Sequence, residues 1–278
     1  MDPETYEAIV RAVALPVSAT PHFELLARQF QVGRGTIHSI YNAEIQSRVM
    51  RRHPELLVQL ASLVQRFLAG EDLLDLAFEV DTPPCIFLRR VLEVPPFSLS
   101  RPAIRAALQN PDSCAGALGL GTCVACDAVY SPACDLARHS AGREFEARLE
   151  SFLAAAGVPH WTETQLRAKG FVRTPDARLQ VPLALRGHVV HWVDSKATFG
   201  DARTHAAAAE QFTAYVNRFG AGMVIYWHGF LRGVQPEGKG VLLLDRPPEQ
   251  AELVLLPRLE VDAELAVVEG GRGGEASA

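Results

Sequence analysis

The chain has few lysines, no long apolar run and no excess of positive charge. Of its 27 basic residues only three are lysines, Lys169, Lys196 and Lys239, so arginine carries most of the positive charge. Without an uninterrupted stretch of about eighteen apolar residues, the sequence predicts no membrane-spanning helix. The formal net charge of −5 argues against nucleic-acid binding through bulk charge, which leaves only local basic patches for that role.

The sequence also lacks an even number of cysteines and an apolar segment at its N-terminus. Five cysteines, an odd number in a chain of 278 residues, fit a reducing compartment better than a disulfide framework. The first residues are acidic and contain no signal-peptide core, so we expect an intracellular protein. A hydrophobic content of 48% is enough for one large domain or for two to three small ones.

The stretch from Thr174 to Lys196 places two carboxylates and a lysine around an alternating apolar segment. Asp176 ends a Thr-Pro-Asp triplet, Asp194 begins an Asp-Ser-Lys triplet, and Gly187 marks a turn between them. A hairpin of two strands would bring both aspartates side by side at one end of a sheet. Adjacent carboxylates repel each other unless a cation lies between them, and hard oxygen ligands suit Mg²⁺ or Mn²⁺.

Lys196 follows Asp194 by two residues, so both side chains point to the same face of the predicted strand. At that position the lysine could orient a water molecule or stabilise charge on a phosphate. Asp-x-Lys triplets are common, however, and Pro-Asp often only starts a turn, which leaves a purely structural interpretation open. Lysine is rare in this chain and, unlike arginine, is a compact charge whose pKa can move, which favours a chemical role.

Three further segments flank this stretch. A helix that begins near Gly142 carries the acidic residues Glu144 and Glu146. A second helix over residues 206–219 carries Gln211 and Tyr215, four residues apart and therefore on one face. Residues 223–227 have the composition of a buried strand. The predicted order is helix, strand, strand, helix, strand.

The polar motifs follow that order: a helix carboxylate, then Pro-Asp, then Asp-x-Lys, then Gln-x-x-x-Tyr. This series resembles the PD-(D/E)xK nuclease superfamily. Within it, the chain is similar to the family named for its Thr-Pro-Asp motif, roughly over residues 1–245 and most densely over 142–231. The matching segments are residues 166–170, 174–176, 179–182, 191–192, 195–196, 199–201, 217–220 and 224–227. Each motif alone is weak, whereas together they are specific.

The resemblance implies a role for each polar residue of these motifs. Asp176 and Asp194 would ligate Mg²⁺ or Mn²⁺, and the backbone carbonyl of Ser195 would add a third oxygen. Lys196 would position or deprotonate the attacking water and stabilise the developing charge. Glu146 would be the carboxylate that the first helix contributes to catalysis and to the metal.

The helix residues have alternatives within the same scheme. Glu144 is the fallback for the helix carboxylate, and either glutamate could instead be a solvated charge. Gln211 would form a hydrogen bond near the site with support from Tyr215, although both could equally make ordinary contacts on a helix face. His191 and Trp192 are expected to pack against the central helices.

The resemblance further implies an α+β chain in which an αβββαβ restriction-endonuclease-like domain follows an all-α region. The expected activity is metal-dependent cleavage of phosphodiester bonds in DNA. A codanin-type protein partner, a role in chromatin assembly and erythroid development, and a location in nucleus and cytoplasm are implied as well. The alternative, of a different class, is a nuclease-fold scaffold with little catalysis that contacts DNA or a large protein partner.

Residues 1–110 are predicted to form tandem helix-turn-helix units, over residues 26–40 and 73–92. A DNA-binding first unit would direct Arg34, Thr36 and His38 to the groove and Arg48, Arg51 and Arg52 to phosphates. The first helix of the second unit is acidic and would repel phosphate, so only its Arg89-Arg90 face is a candidate. A helical bundle that binds protein or simply packs is the alternative for both units.

The remaining segments have less specific patterns. Residues 111–140 connect the helical region to the nuclease-like domain at 141–247, and residues 248–278 are predicted to be a partly disordered tail. Cys123, Cys126, Cys134 and His139 could hold zinc, although their spacing is irregular and includes a single Cys-x-x-Cys pair. Small buried free thiols would explain these cysteines equally well.

Overall fold

A computed structural model describes residues 1–111, 119–234 and 240–256 and shows a mixed α+β protein. The helices are α1 Pro3–Val13, α2 Phe23–Phe30, α3 Arg34–Leu68, α4 Leu73–Glu79, α5 Pro84–Glu93, α6 Arg101–Gln109, α7 Leu120–Cys126, α8 Pro132–Ala155, α9 Glu163–Ala168 and α10 Ala202–Phe219. The strands are β1 His160–Thr162, β2 Ala177–Leu185, β3 His188–Lys196, β4 Gly222–Tyr226, β5 Val241–Leu244 and β6 Val254–Leu255. The predicted α+β class is confirmed.

The strands form one mixed sheet in the order β1-β2-β3-β4-β5, with β6 paired to the free side of part of β2. Strands β1, β2 and β3 are antiparallel, whereas β3, β4 and β5 run parallel to one another. The predicted hairpin between β2 and β3 is present. Arg186 and Gly187 both have positive φ, 49° and 80°, as the tightest hairpin turns require. Short β1 precedes the hairpin, so three strands lie between α8 and α10, and α9, β5 and β6 are additional to the expected αβββαβ order.

Helices cover both faces of the sheet. Leu149 and Leu153 of α8 pack on one face, in a cluster with Val193 of β3. On the other face, Phe212 of α10 stacks on Trp192 with 6.3 Å between ring centroids. The expected packing of Trp192 against a central helix is therefore present. The two helices that cover the sheet have side-chain caps at their N-termini. Ser131 caps α8, whose first residue is a proline, and Asp201 caps α10.

The N-terminal helices form two further apolar clusters, one around α4 to α7 and the other around α1 to α3. Helices α2 and α3 follow a helix–turn–helix path in which Gln31 itself adopts the left-handed conformation, with φ 53°. The second helix of the first predicted unit does not end near residue 40 but continues to Leu68 as the single 35-residue helix α3. Tandem DNA-binding units therefore remain a prediction, and one that has to accommodate this continuous helix.

The N-terminal helices are docked onto the loops at one end of the sheet. The hydroxyl of Ser39 accepts the N–H of Phe199 at 2.7 Å, and the hydroxyl of Tyr6 donates to Asp201 at 3.0 Å. Gly35 has no side chain because a Cβ there would lie 2.4 Å from the ring of His228. The first turn of α3 is therefore packed against the loops that follow β3 and β4.

The predicted segment boundaries at residues 110, 140 and 247 are not tested by the structure and stay predictions. Leu120 and Cys123 of α7, from the expected connecting segment, pack in the same cluster as α4 to α6. Residues 257–278 of the predicted disordered tail lie outside the described residues. No helix within the described part of the chain combines the length and apolar character needed to span a lipid bilayer.

Candidate functional site

Asp176 and Asp194 lie together at the open end of the β2–β3 hairpin. Ala177 pairs with Val193, and the same register continued by one residue sets Asp176 opposite Asp194. Residues that face each other across two strands point to the same side of the sheet, so both carboxylates share one face. Asp194 is only 2% exposed and Asp176 is half-buried. The sequence-based expectation that the hairpin brings them side by side agrees with this register.

Burial and mutual repulsion make these carboxyl groups weak acids in the metal-free protein. Burial, with the charge of Asp194 next, raises the pKa of Asp176 to about 8, although the N–H that Ser195 donates at 2.6 Å opposes the shift. Burial also raises the pKa of Asp194, while the adjacent Lys196 acts in the opposite direction. Two such groups stay ionised together only when further positive charge is supplied.

We therefore expect the metal-free protein to lose stability between about pH 5 and pH 8. The unfolded chain releases the Asp176 proton near its ordinary pKa, while the folded chain keeps it until about pH 8. The folded state binds more protons in this window, so rising pH destabilises it by up to about 1.4 kcal/mol per pH unit. The contribution is complete below the unfolded pKa and is lost as the pH passes the folded one.

Denaturant unfolding in EDTA across this pH range measures the effect, with Asp176→Asn as the matched variant. The difference in unfolding free energy between wild type and variant should shift with pH in favour of the variant. A difference that is constant from pH 5 to pH 8 contradicts the assignment of the raised pKa to Asp176.

Lys196 joins the two halves of the site through a chain of hydrogen bonds. Its Nζ lies 2.6 Å from Oδ2 of Asp194 and donates to Oε1 of Gln211 at 3.2 Å. Nε2 of Gln211 donates to the hydroxyl of Tyr215 at 2.6 Å, and this hydroxyl donates to the carbonyl of Thr174 at 2.7 Å. The contacts expected for Gln211 and Tyr215 are therefore present, and they tie the Asp-x-Lys motif to the Thr-Pro-Asp motif.

The backbone carbonyl of Ser195 is turned towards the same end of the hairpin. The carbonyl of Lys196 accepts the N–H of Trp227 at 3.0 Å, so the backbone of Lys196 faces β4 and that of Ser195 faces β2. The register continued past Asp176 sets Pro175 opposite Ser195. Proline has no N–H to donate, so the residue facing Ser195 leaves its carbonyl oxygen available to a ligand.

The donor set at this end fits a hard divalent ion. Two carboxylates and a backbone carbonyl supply oxygen only, which Mg²⁺ and Mn²⁺ prefer. Oδ2 of Asp194 is buried without a hydrogen-bond partner, since the nearby ammonium of Lys196 contacts it outside hydrogen-bond geometry. Among the described residues, no three His, Cys, Asp or Glu side chains are grouped closely enough to hold a metal. A bound ion would therefore depend on the two aspartates and the Ser195 carbonyl.

Glu146 lies at the edge of the site on the exposed surface of α8. Partial burial, the charge of Glu163 and then that of Asp194 raise the pKa of the Glu146 carboxyl. Glu144 is exposed and pairs at 2.5 Å with Arg148. Of the two candidate glutamates, Glu146 is the one whose charge acts on Asp176, and its role at the site stays a prediction.

Glu163, the first residue of α9, is a site residue that the sequence analysis missed. Its N–H donates to the carbonyl of Asp176 at 3.1 Å, and its carboxylate accepts the hydroxyl of Thr174 at 3.4 Å. Its charge raises the pKa of both Asp194 and Glu146. The local sequence signals only a helix cap, formed by Thr162, and nothing in it places this turn beside residues eleven or more positions later.

The six residues expected to contact DNA are dispersed. Arg34 and Arg51 are exposed, although each pairs with a glutamate of its own region. His38 is exposed at the surface of α3 and packs on Phe23. Arg52 is partly exposed and pairs with Asp81 at 3.0 Å.

Thr36 and Arg48 depart from that expectation. Thr36 is buried and its hydroxyl donates to the carbonyl of His228 at 2.9 Å, so it does not face outward towards a DNA groove. Arg48 is turned inward, donating to the carbonyl of Leu15 at 2.6 Å and pairing with Asp81. Thr36 helps to dock α3 on the loop after β4, whereas Arg48 ties α3 to the segments that follow α1 and α4.

The residues considered for zinc binding are held by other contacts. Cys123 is buried among apolar side chains, whereas Cys126 is exposed. Sγ of Cys134 contacts the carbonyl of Asp127 at 3.8 Å, and the ring of His139 contacts that of Asp135 at 2.7 Å. Within the described ranges these side chains do not assemble into a group of three metal ligands.

Comparison with known proteins gives consistent matches along most of the chain. A family model described as a protein of unknown function with the TPD sequence motif matches residues 116–247. CDAN1-interacting nuclease 1 of Homo sapiens is 36% identical over 261 residues, covering 86% of this chain and 92% of the relative. The Mus musculus protein of that name is 36% identical over 264 residues, with the same coverage. The Danio rerio protein is 36% identical over 236 residues, or 77% of each chain. No solved structure matches.

Proposed function

The chain belongs to the family of CDAN1-interacting nuclease 1, and on that premise we propose that it is a divalent-metal-dependent deoxyribonuclease. The observation that carries the proposal is the pairing of Asp176 with Asp194 at the hairpin end, with Lys196 in contact with Asp194. We propose with it that the helices and sheet around this hairpin correspond to the restriction-endonuclease-like arrangement of the PD-(D/E)xK superfamily.

In this proposal, Asp176, Asp194 and the carbonyl of Ser195 hold Mg²⁺ or Mn²⁺. The ion, when bound, supplies the charge that activates water and stabilises the phosphate during hydrolysis. Asp176 is kept in register by the N–H of Ser195, so the ligand side chain and the ligand carbonyl are positioned by the same short segment. Glu146 would contribute a further carboxylate from the direction of α8.

In this proposal, Lys196 contacts the attacking water and is held in position by its neighbours. An ammonium group has three N–H donors; here the group forms an ion pair with Asp194 and donates one hydrogen bond to Gln211. The amide of Gln211 is fixed in direction, because the Tyr215 hydroxyl uses its hydrogen on Thr174 and must accept from Nε2. The third hydrogen of Lys196 remains for a water or a phosphate oxygen, and proton loss from the same group would make it a base.

The names of the relatives lead us to include a codanin-type protein partner in the proposal. Those proteins are named for an interaction with CDAN1, and we extend this interaction to the present chain. Roles in chromatin assembly and erythroid development, and a distribution between nucleus and cytoplasm, remain predictions from the sequence resemblance.

A second candidate function is a nuclease-fold scaffold with little catalysis. It is favoured by one observation, that no three metal-binding side chains are grouped together among the described residues. The catalytic proposal is preferred because a scaffold would not require a buried Asp194 ion-paired with Lys196, one of only three lysines in the chain.

Single-turnover assays on duplex, flap, branched and single-stranded DNA test the proposal. We expect wild-type protein to cleave at least one of these substrates with Mg²⁺ or Mn²⁺ and none of them in EDTA. The absence of cleavage on every substrate, in protein that still binds a codanin-type partner in a pull-down, would favour the scaffold function.

A further inference from the structure

A cationic groove lies between α5, α6 and the first two turns of α8. Its volume is about 860 Å³, and its lining includes Arg89, Arg90, Arg101, Arg105 and His139. These residues come from three separate helices, so the concentration of positive charge is produced by the fold. None of them is part of the aspartate site.

The positive charge of the groove is not neutralised by its acidic neighbours. Glu93 is paired with Arg90 at 2.6 Å, and Asp135 is paired with Arg138. Within the described residues, Arg89, Arg101 and Arg105 have no ion-pair partner, although the chain as a whole carries a net charge of −5. The groove therefore presents guanidinium groups that are free to receive an anionic ligand.

A hydrogen-bond donor without an acceptor in the wall of the groove supports the same conclusion. Nε of Arg90 is buried and has no partner, although its terminal NH1 is paired with Glu93. A buried guanidinium donor without an acceptor is costly, so the Arg90 side chain keeps unused hydrogen-bonding capacity in the wall of the groove.

Helix α8 connects this groove to the aspartate site. Asp135 and His139 line the groove, and Glu146 follows His139 by seven residues on the same helix. Seven residues are nearly two full turns, so the two side chains share one stripe and lie about 10 Å apart along the axis. The groove and the site are therefore adjacent along one edge of the molecule.

We propose that this groove binds the phosphate backbone of the DNA whose cleavage we assign to the aspartate site. The proposal rests on the proposed nuclease function and locates its substrate. Arginine forks match the geometry of phosphate oxygens, and bidentate pairs of this kind are among the strongest polar contacts. A separation of about 10 Å equals roughly three nucleotides at the ~3.4 Å rise of one strand. One DNA strand of a few nucleotides would therefore cover the part of α8 between His139 and Glu146.

The groove is a better candidate for the nucleic-acid interface than the first turns of α3. Arg34, Arg51 and Arg52 each have an acidic partner, and Arg48 is turned into the protein. A phosphate would have to compete with these carboxylates, whereas Arg89, Arg101 and Arg105 have no carboxylate partner in the part of the chain that the structure describes.

The test compares two double variants that remove the same charge. Arg101→Ala/Arg105→Ala alters exposed residues of α6 without ion-pair partners in the described structure, so folding should be retained. Arg34→Ala/Arg51→Ala is the control from α3, where the side chains are 66% and 67% exposed. Binding of fluorescent duplex DNA is measured in EDTA at several salt concentrations.

We expect the groove variant to bind about tenfold more weakly at ~0.1 M salt and the control variant to stay within about twofold of wild type. The slope of log K against log salt should fall by nearly two in the groove variant, at about 0.9 per lost phosphate contact. Equal affinities for wild type and groove variant, or a larger loss in the control, would overturn the proposal.

Two further outcomes separate this inference from the nuclease assignment and from a protein ligand. If wild-type protein binds DNA through the groove but cleaves no substrate, the proposed nuclease function is wrong and the groove proposal is retained. Poly-glutamate peptide is measured in parallel: if the groove variant loses affinity for this peptide and not for DNA, the groove serves an acidic protein segment and the proposal fails. Absence of DNA binding by wild type also overturns it.

Discussion

Replacing Asp176 by asparagine is expected to abolish metal-dependent cleavage and, at the same time, to stabilise the metal-free protein. Asparagine can still accept the N–H of Ser195 but cannot supply a negative ligand. Loss of one of two carboxylate ligands should reduce turnover on the order of a thousandfold, equivalent to about 4 kcal/mol of transition-state stabilisation. Stability should rise because the variant no longer places two buried carboxylates opposite each other.

The combination of lost activity and gained stability distinguishes a ligand from a structural residue. Cleavage is measured under single-turnover conditions, metal affinity by calorimetric titration with Mn²⁺, and stability by denaturant unfolding in EDTA at pH 8. Asp245→Asn is the control, since Asp245 is exposed just after β5 and should change none of these quantities. Cleavage that survives in highly purified Asp176→Asn protein would remove Asp176 from the catalytic assignment.

Lys196→Arg is expected to be nearly as damaging to turnover as Lys196→Ala, each by about a hundredfold or more. Nζ of Lys196 is fitted between Asp194 and Gln211, and the side chain is only 25% exposed. Arginine keeps the charge, but its planar fork needs different space and it cannot lose a proton. Neither variant removes a metal ligand, so Mn²⁺ affinity should persist in both.

Lys169→Arg provides the matched control, because Lys169 stacks over the ring of Trp161 at 4.0 Å outside the hydrogen-bond chain of the site. It should leave cleavage unchanged. Partner binding in a pull-down should survive in all three variants. Full activity of Lys196→Arg would show that a positive charge is sufficient at this position, and the role of Lys196 as a base would be withdrawn.

Local patterns predicted the hairpin and the orientation of its functional side chains. The alternating apolar residues, the turn at Gly187 and the spacing of Asp194 and Lys196 all express the two-residue period of a strand. The spacing of Gln211 and Tyr215 expresses the period of a helix in the same way. These features could be predicted because they depend on neighbours only a few residues apart.

Contacts between distant segments could not be predicted in this way. Glu163 lies beside Thr174 and Asp176 because β1 pairs with β2, and its own sequence carries only the pattern of a helix start. Thr36 was assigned to an outward face by its position in a helix–turn–helix pattern. Its burial against His228 depends on how α3 packs on the loops of the sheet.

The sequence by itself determined the α+β class, the β2–β3 hairpin and the shared face of Asp194 and Lys196, since periodicity and turn chemistry are local properties of the chain. Only the tertiary structure decided which arginine side chains remain available to an anionic ligand. Packing pairs Arg48 and Arg52 with Asp81 and leaves Arg101 and Arg105 beside an open groove. The free energy of a charge depends on burial and on the partners that folding brings near it, and neither is encoded in the neighbouring residues.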